Sequence, residues 1–215
     1  MSPHDDRSHR SRGQSAAADV SRSQPVTVTV IDCDVSRIDE RTYTLPGEFR
    51  FSTRPGGVTW IDVAGVHDAG AIQTIGDAVG IHPLTLEDIA NTTQRPKIED
   101  YGDYLYVAIR MLTPGGDGEF QSEQVSLVLG KGFVVSFQEE PGGMFERIRE
   151  RLQAGAARLR SGEADYLFYT LIDATVDSYF AVIEDFGERI EEIEEEVVAD
   201  PDHETLQAIY ALKRS

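Results

Sequence analysis

The chain has 215 residues and a formal net charge of −18. This length accommodates one domain with a full hydrophobic core and a helical extension. The negative charge disfavours electrostatic binding to nucleic acid or to an anionic membrane surface, and it favours cations and basic partners. The single cysteine, Cys33, excludes an internal disulfide and fits a reducing compartment. Because of the negative charge, we expect no nucleic-acid partner.

Lysine is rare, with Lys97, Lys131 and Lys213 as its only positions. An acid-rich, lysine-poor surface is typical of a high-salt cytoplasm, and a GC-rich genome produces the same lysine deficit. No stretch reaches the roughly 20 apolar residues that span a bilayer, and the N-terminus lacks the apolar core of a signal peptide. Taken alone, the chain is expected to be soluble and cytosolic.

Strands and helices are mixed in the first part of the chain. Residues 1–24 are polar or small without any period, which predicts a disordered tail. Valine and threonine alternate from Val26 to Val30, which predicts a strand. Apolar patterns and turn residues predict further strands at 58–63, 104–112, 123–129 and 133–137, and helices at 69–79 and 144–159.

Glu87 and Asp88 lie near the end of a predicted short helix that begins at Pro83, a residue that suits a first helical turn. Adjacent acids at a helix C-terminus are opposed by the helix dipole. We therefore expect another group to hold these carboxylates in place, and a cation is one candidate.

A long helix is predicted at 164–199, because apolar residues recur every three or four positions without an intervening proline. We expect this stripe to pack against a partner helix and the helix to stop at Asp200–Pro201. A final helix is predicted after this stop. The stripe consists of Ile172, Val176, Tyr179, Ile183, Phe186, Ile190, Ile193 and Val197.

The two halves of the long helix differ in charge. Between 166 and 183 the only charged residues are Asp173 and Asp177, four positions apart on one face. From Glu184 to Glu196 eight acids accompany Arg189, a pattern typical of a solvated face. A carboxylate among the apolar residues of the first half requires a donor, a cation or water. A local cap, an arginine partner and a metal ion all meet that requirement.

The order of the elements predicts an α+β fold, an αβα sandwich with a mixed sheet followed by long helices. Residues 25–160 would form the αβα domain and residues 161–215 a long helical hairpin.

Several separate segments resemble the signature of the CorA family of magnesium channels. They occur in order and at compatible spacing between Val58 and Lys213. The segments are His82-Pro83-Leu84, Leu86-Glu87-Asp88-Ile89, Gln94-Arg95-Pro96-Lys97, Glu123-Gln124-Val125-Ser126-Leu127, Phe137-Gln138-Glu139, Ala164-Asp165-Tyr166-Leu167, Leu171-Ile172-Asp173-Ala174 and Asp177-Ser178-Tyr179-Phe180.

This resemblance implies a cytoplasmic domain of a pentameric channel in the cell membrane, with Mg²⁺ as both regulatory and transported ion and Co²⁺ as an alternative. It implies neither an enzyme nor a small organic substrate. The family's Gly-Met-Asn loop has no match, since the methionines are Met1, Met111 and Met144. We therefore expect a regulatory domain without its pore, whose link to the membrane is a missing C-terminal region.

In the family, divalent ions bind between neighbouring cytoplasmic domains. By motif, Asp88 matches the principal acidic ligand, Glu87 stands beside it, Asp173 matches a contributor from the long helix, and Asp177 matches a lower-ranked acidic position. Mg²⁺ requires oxygen ligands and retains several waters, so a few carboxylates at an interface suffice. The implied mechanism is feedback, in which bound Mg²⁺ holds the subunits in a closed ring.

Three other hypotheses remain. A zinc-transporting branch of the same superfamily shares this domain, but zinc prefers His and Cys, and only the scattered His67, His82 and His203 lie outside the tail. A carboxylate metalloenzyme is the second hypothesis, but no nucleophile or histidine base accompanies the acids in the sequence. A standalone helical scaffold would oligomerise through the 172–197 stripe.

Overall fold

The computed structural model describes residues 25–53, 56–114, 120–140, 143–161, 163–199 and 202–213. The predicted tail at 1–24 and the helix stop at Asp200–Pro201 lie outside these ranges. At the centre is a seven-stranded sheet with the order β2-β1-β3-β7-β6-β5-β4. Its strands are β1 (Val26–Cys33), β2 (Ile38–Leu45), β3 (Val58–Ala64), β4 (Lys97–Asp100), β5 (Tyr104–Pro114), β6 (Phe120–Gly130) and β7 (Phe133–Gln138).

The sheet is mixed, as predicted. β3 runs parallel to β7, and the other neighbouring strands are antiparallel. The chain needs a long crossover to return to β7 beside β3, and that crossover contains two helices as well as β4 to β6. The second of these helices is hydrogen-bonded to β4, β5 and β6, the three strands that form one edge of the sheet.

Helices cover both faces of the sheet, which confirms the αβα sandwich. The first two helices pack on one face, and the next two helices and the start of the long helix pack on the other around Trp60, Phe145 and Leu171. The last helix contacts the long helix. They are α1 (Ala69–Val79), α2 (Pro83–Ala90), α3 (Glu146–Gln153), α4 (Ala157–Ser161), α5 (Ala164–Ala199) and α6 (His203–Leu212), with a 3₁₀ turn at Gly143–Phe145.

The structure corrects three predicted elements. The helix predicted at 144–159 is interrupted around Gly155, whose φ of 83° favours glycine and ends α3. β2 and β4 were not predicted, because each is the outermost strand at an edge of the sheet. Both carry mostly polar, partly solvated residues, so neither shows the apolar alternation that identifies a strand.

The side of α5 that packs on the sheet differs from the predicted apolar stripe. The buried side includes Leu167, Leu171 and Thr175, whereas Val176 is 39% exposed and Ile183 is 63% exposed. The expected contact of the stripe with a partner helix stays a prediction. In the described parts of the chain, no helix is both long enough and apolar enough to cross a membrane.

Candidate metal site

The start of α2 is fixed by contacts with the sheet. His82 is the N-cap, and its Nδ1 accepts a hydrogen bond from the Leu84 amide at 3.2 Å. The amide of His82 donates to the Tyr104 hydroxyl at 3.1 Å, and that hydroxyl lies 2.8 Å from Oγ1 of Thr85. The first turn of α2 is therefore attached to β5 by hydrogen bonds as well as by apolar packing.

The buried side of α2 packs tightly against α1. A Cβ atom at Gly76 would lie only 2.5 Å from Cδ1 of Leu86, so this contact requires glycine. Leu86 and Ile89 are both buried. Since these contacts fix the rotation of α2 about its axis, they also determine that Asp88 faces β4 while Glu87 is exposed.

Both carboxylate oxygens of Asp88 have donors from the same chain. Oδ2 lies 2.6 Å from Nζ of Lys97, and Oδ1 accepts a hydrogen bond from Nε2 of Gln94 at 2.9 Å. The Asp88 side chain is 22% exposed and that of Lys97 is 26% exposed. The group predicted to hold Asp88 near the helix end is thus, within this chain, an ammonium and an amide.

Lys97 lies on the edge strand β4 and has two acidic partners. Its Nζ is also 3.1 Å from Oε1 of Glu99, and it lies 5.5 Å from the centre of the Tyr106 ring. Burial lowers the pKa of Lys97, but the hydrogen bonds to Asp88 and Glu99 outweigh this effect and raise the pKa overall. Lys97 is therefore fully charged at neutral pH.

Gln124 supports the same site from β6. Its Nε2 donates to the main-chain oxygen of Asp88 at 3.1 Å and to Oγ of Ser126 at 3.2 Å. The residue is only 3% exposed, and no residue that the structure describes donates a hydrogen bond to its Oε1. Sequence reasoning did not identify Gln94, Lys97 or Gln124 as neighbours of Asp88, although all three lie in the segments that resemble the CorA signature.

The other predicted acids lie in solvent. Asp173 and Asp177 are exposed on α5, and Oδ1 of Asp173 accepts a hydrogen bond from the Tyr169 hydroxyl at 3.2 Å. Of the partners considered for Asp173, the structure shows a hydroxyl donor and exposure to solvent, because α5 turns this face away from the sheet. Among the residues that the structure describes, no three His, Cys, Asp or Glu side chains form a group able to hold a metal ion. The assignment of Asp88, Glu87, Asp173 and Asp177 as metal ligands remains a prediction.

A second group of acids lies where β6 and β7 meet. Burial raises the pKa of Glu123 from 4.5 to about 7, and the negative charges of Glu140 and Glu139 add to this rise, while Arg110 opposes it. Oε1 of Glu139 accepts a hydrogen bond from the main-chain N–H of Gln124 at 2.5 Å. Glu123 therefore lies on β6, directly before the residue that contacts Asp88.

The carboxylate of Asp62 on β3 is almost completely buried. It accepts hydrogen bonds from Oγ of Ser136 at 2.5 Å and from Nε2 of Gln138 at 2.8 Å, and it forms an ion pair with Arg149 of α3. Burial raises the pKa of Asp62 despite the charge of Arg149 and these hydrogen bonds. Since its partners belong to the sheet and to α3, this pair fastens α3 to the sheet.

The fold is similar to solved structures of soluble metal-transporter domains. One is the soluble domain of CorA from Methanocaldococcus jannaschii, with a TM-score of 0.62 and 14% identity over 86% of this chain and 70% of that chain. Another is the ZntB cytoplasmic domain from Vibrio parahaemolyticus, with a TM-score of 0.58 and 14% identity over 86% of this chain and 73% of that chain. At these identities the likeness shows the fold alone.

Sequence comparison shows the family. The chain is 44% identical over 168 residues to the cobalt/magnesium transport protein CorA of Thermotoga maritima, a match that covers 78% of this chain and 47% of that protein. It thus spans about half the length of that relative. The family described as CorA-like Mg²⁺ transporter protein matches residues 55–215. The chain belongs to the CorA-like Mg²⁺ transporter family.

Proposed function

We propose that this chain is the cytoplasmic regulatory part of a CorA-type homopentameric channel in the cell membrane. The channel would carry Mg²⁺, with Co²⁺ as a second ion, and the chain would sense these cations through acidic sites between subunits. The observation that carries the proposal is the position of Asp88. Its carboxylate is partly exposed and held in a fixed direction at the end of α2, within the residues that the family matches.

The carboxylates available as metal ligands suit Mg²⁺, which takes oxygen ligands and keeps several of its waters. Glu87 and Asp88 are adjacent on α2, and Asp173 and Asp177 share a face of α5. In the described part of a single chain these acids do not form a metal-binding group of three. A site completed by a neighbouring subunit accounts for this arrangement, and we expect an isolated monomer to bind Mg²⁺ only weakly.

The proposed mechanism is a shift of population between closed and open rings. A cation shared between subunits neutralises facing carboxylates and favours the closed arrangement, which binds it better. When cytoplasmic Mg²⁺ falls, the carboxylates repel each other and the ring loosens. Residues 25–160 would provide the sensing domain, and the helical hairpin at 161–215 would connect it towards the pore.

The second candidate is a zinc-transporting branch of the same superfamily, and the fold is similar to that of the ZntB cytoplasmic domain. The histidines argue against it. His67 lies before α1, His82 caps α2 and His203 begins α6, so they belong to three separate places in the chain. In the described residues no three His, Cys, Asp or Glu side chains form a group able to hold a metal ion. Carboxylate oxygens therefore remain the available donors, and they favour Mg²⁺ over zinc.

The test is Asp88→Asn in the full-length channel, recorded in inside-out patches while bath Mg²⁺ is raised. The substitution removes the charge and keeps the shape, so we expect current to persist at Mg²⁺ levels that close the wild type. Asp77→Asn is the matched control, because Asp77 is an exposed acid on the neighbouring helix α1. Unchanged inhibition in Asp88→Asn, with normal amounts of protein at the membrane, would show that Asp88 is not the sensor.

A further inference from the structure

The carboxylate proposed as a metal ligand is already neutralised from within the chain. The Lys97 ammonium lies 2.6 Å from Oδ2 of Asp88, and the Gln94 amide occupies Oδ1. Each oxygen keeps a free lone pair, but a divalent cation that binds there directly lies close to the Lys97 ammonium and meets the repulsion of its charge. A cation that binds through its own waters still meets the repulsion of the ammonium charge.

We infer that Lys97 is a built-in competitor of the divalent cation at Asp88, and that it sets the Mg²⁺ concentration at which this site fills. The inference rests on the proposed function of Asp88 as a ligand. It adds a residue that does not bind the ion and yet determines its apparent affinity. In this arrangement the protein alternates between an internal ion pair and an ion-bound carboxylate.

The surroundings of Lys97 allow this exchange. Its ammonium has a second carboxylate, Glu99, at 3.1 Å, so it can leave Asp88 and remain paired. The pair is about a quarter exposed, which gives water and ions access to it. A lysine ammonium is a point charge on a flexible stem, whereas an arginine would hold the carboxylate through a rigid pair of hydrogen bonds. The residue type and the position both suit a displaceable partner.

The main-chain and neutral contacts of Asp88 do not need to change in the exchange. Gln124 donates to the main-chain oxygen of Asp88 rather than to its carboxylate, and α2 is fixed separately by Gly76 and Leu86. The carboxylate therefore keeps its position when Lys97 moves. A fixed ligand with a mobile counter-ion is the arrangement that competition requires.

The experiment is an Mg²⁺ titration of the 215-residue chain by NMR and calorimetry, comparing wild type, Lys97→Met, Lys131→Met and Asp88→Asn. Methionine keeps an apolar side chain over the Tyr106 ring and removes the charge. Lys131 lies exposed in the β6–β7 turn, so its variant changes the net charge equally at a distant position. We expect Lys97→Met to bind Mg²⁺ about 2- to 5-fold more tightly, the range for removing a partly exposed ion pair. Lys131→Met should bind Mg²⁺ as the wild type does.

A second readout uses the unmodified chain, so it does not depend on the folding of a variant. Because the sequence has only three lysines, ¹³C-labelled lysine should give three resolved Cε signals. We expect the Lys97 signal to shift with added Mg²⁺, and the Lys131 and Lys213 signals to stay in place.

The outcomes separate the two proposals. Suppose that Asp88→Asn weakens Mg²⁺ binding, but Lys97→Met binds Mg²⁺ as the wild type does or the Lys97 signal does not shift. The competition by Lys97 is then wrong, and the ligand role of Asp88 stands. If Asp88→Asn binds Mg²⁺ like wild type, or if no variant responds to Mg²⁺, both the ligand role and the competition are wrong. Tighter binding by Lys97→Met but not by Lys131→Met, together with weaker binding by Asp88→Asn, supports both.

Discussion

Asp62 and Asp88 are both paired with a basic side chain, but their surroundings differ. Asp62 is 2% exposed on β3, is bound to an arginine and accepts two further side-chain hydrogen bonds. Asp88 is 22% exposed near the end of α2 and is bound to a lysine that has another acid to pair with. A buried pair cannot separate without stranding a charge in the core, whereas a partly exposed pair can exchange partners. The first pair is suited to structure and the second to regulation.

Removing the arginine of the buried pair should have the largest effect. Arg149→Met leaves the Asp62 carboxylate without its counter-charge, and we expect the free energy of unfolding to fall by about 3 kcal/mol. Chemical denaturation measures this loss. Arg147→Met is the control, since Arg147 is exposed on the same helix and its loss should cost under about 0.5 kcal/mol. Equal stability of the two variants would refute the structural role of the Asp62–Arg149 pair.

Glu123 tests a third case, a carboxylate whose nearest charged neighbours are mainly other acids. Because its pKa in the folded chain is about 7 instead of 4.5, the folded state binds the extra proton in this window. The associated stability is fully present below pH 4.5 and is lost as pH rises through 7. Glu123→Gln should therefore match wild type in acid and exceed it by about 1 kcal/mol at pH 8, a value reduced for partial exposure.

The measurement is the free energy of unfolding of both proteins from pH 4.5 to 8. Glu150→Gln serves as the control, because Glu150 is exposed on α3 and its variant should follow the wild-type profile. A constant difference between Glu123→Gln and wild type across this range would contradict the raised pKa.

The central strands and most of the helices were predictable from the sequence, because their apolar periodicity reflects burial on one or both faces. The edge strands β2 and β4 were not predictable, since half-solvated edges carry no such pattern. The stripe on α5 shows the same limitation. Heptad spacing identifies an apolar surface, but it does not identify which side of the helix packs on the sheet, and that side is defined by Leu167 and Leu171.

The candidate site was predictable only in part. The position of Asp88 near a helix end indicated that it needs a partner, and the structure supplies Lys97 and Gln94. These partners are six and nine residues further along the chain, past a turn and on a separate strand. Sequence spacing cannot show such a contact, because it depends on how the crossover places β4 beside α2. Sequence spacing likewise could not show that Asp173 is exposed, because its exposure depends on the rotation of α5 about its axis.

The smallest effect on stability is expected at the ion pair between Asp88 and Lys97. Lys97→Met should lower the free energy of unfolding by about 0.5 kcal/mol without Mg²⁺, because a partly exposed ion pair contributes little and Asp88 can be solvated once the ammonium is gone. Lys131→Met should change it by still less, and the same denaturation measurement applies to both. A loss above about 2 kcal/mol in Lys97→Met would place this pair in the same class as Asp62–Arg149. Such a costly pair could not open readily for a cation, so that result would also argue against competition at Asp88.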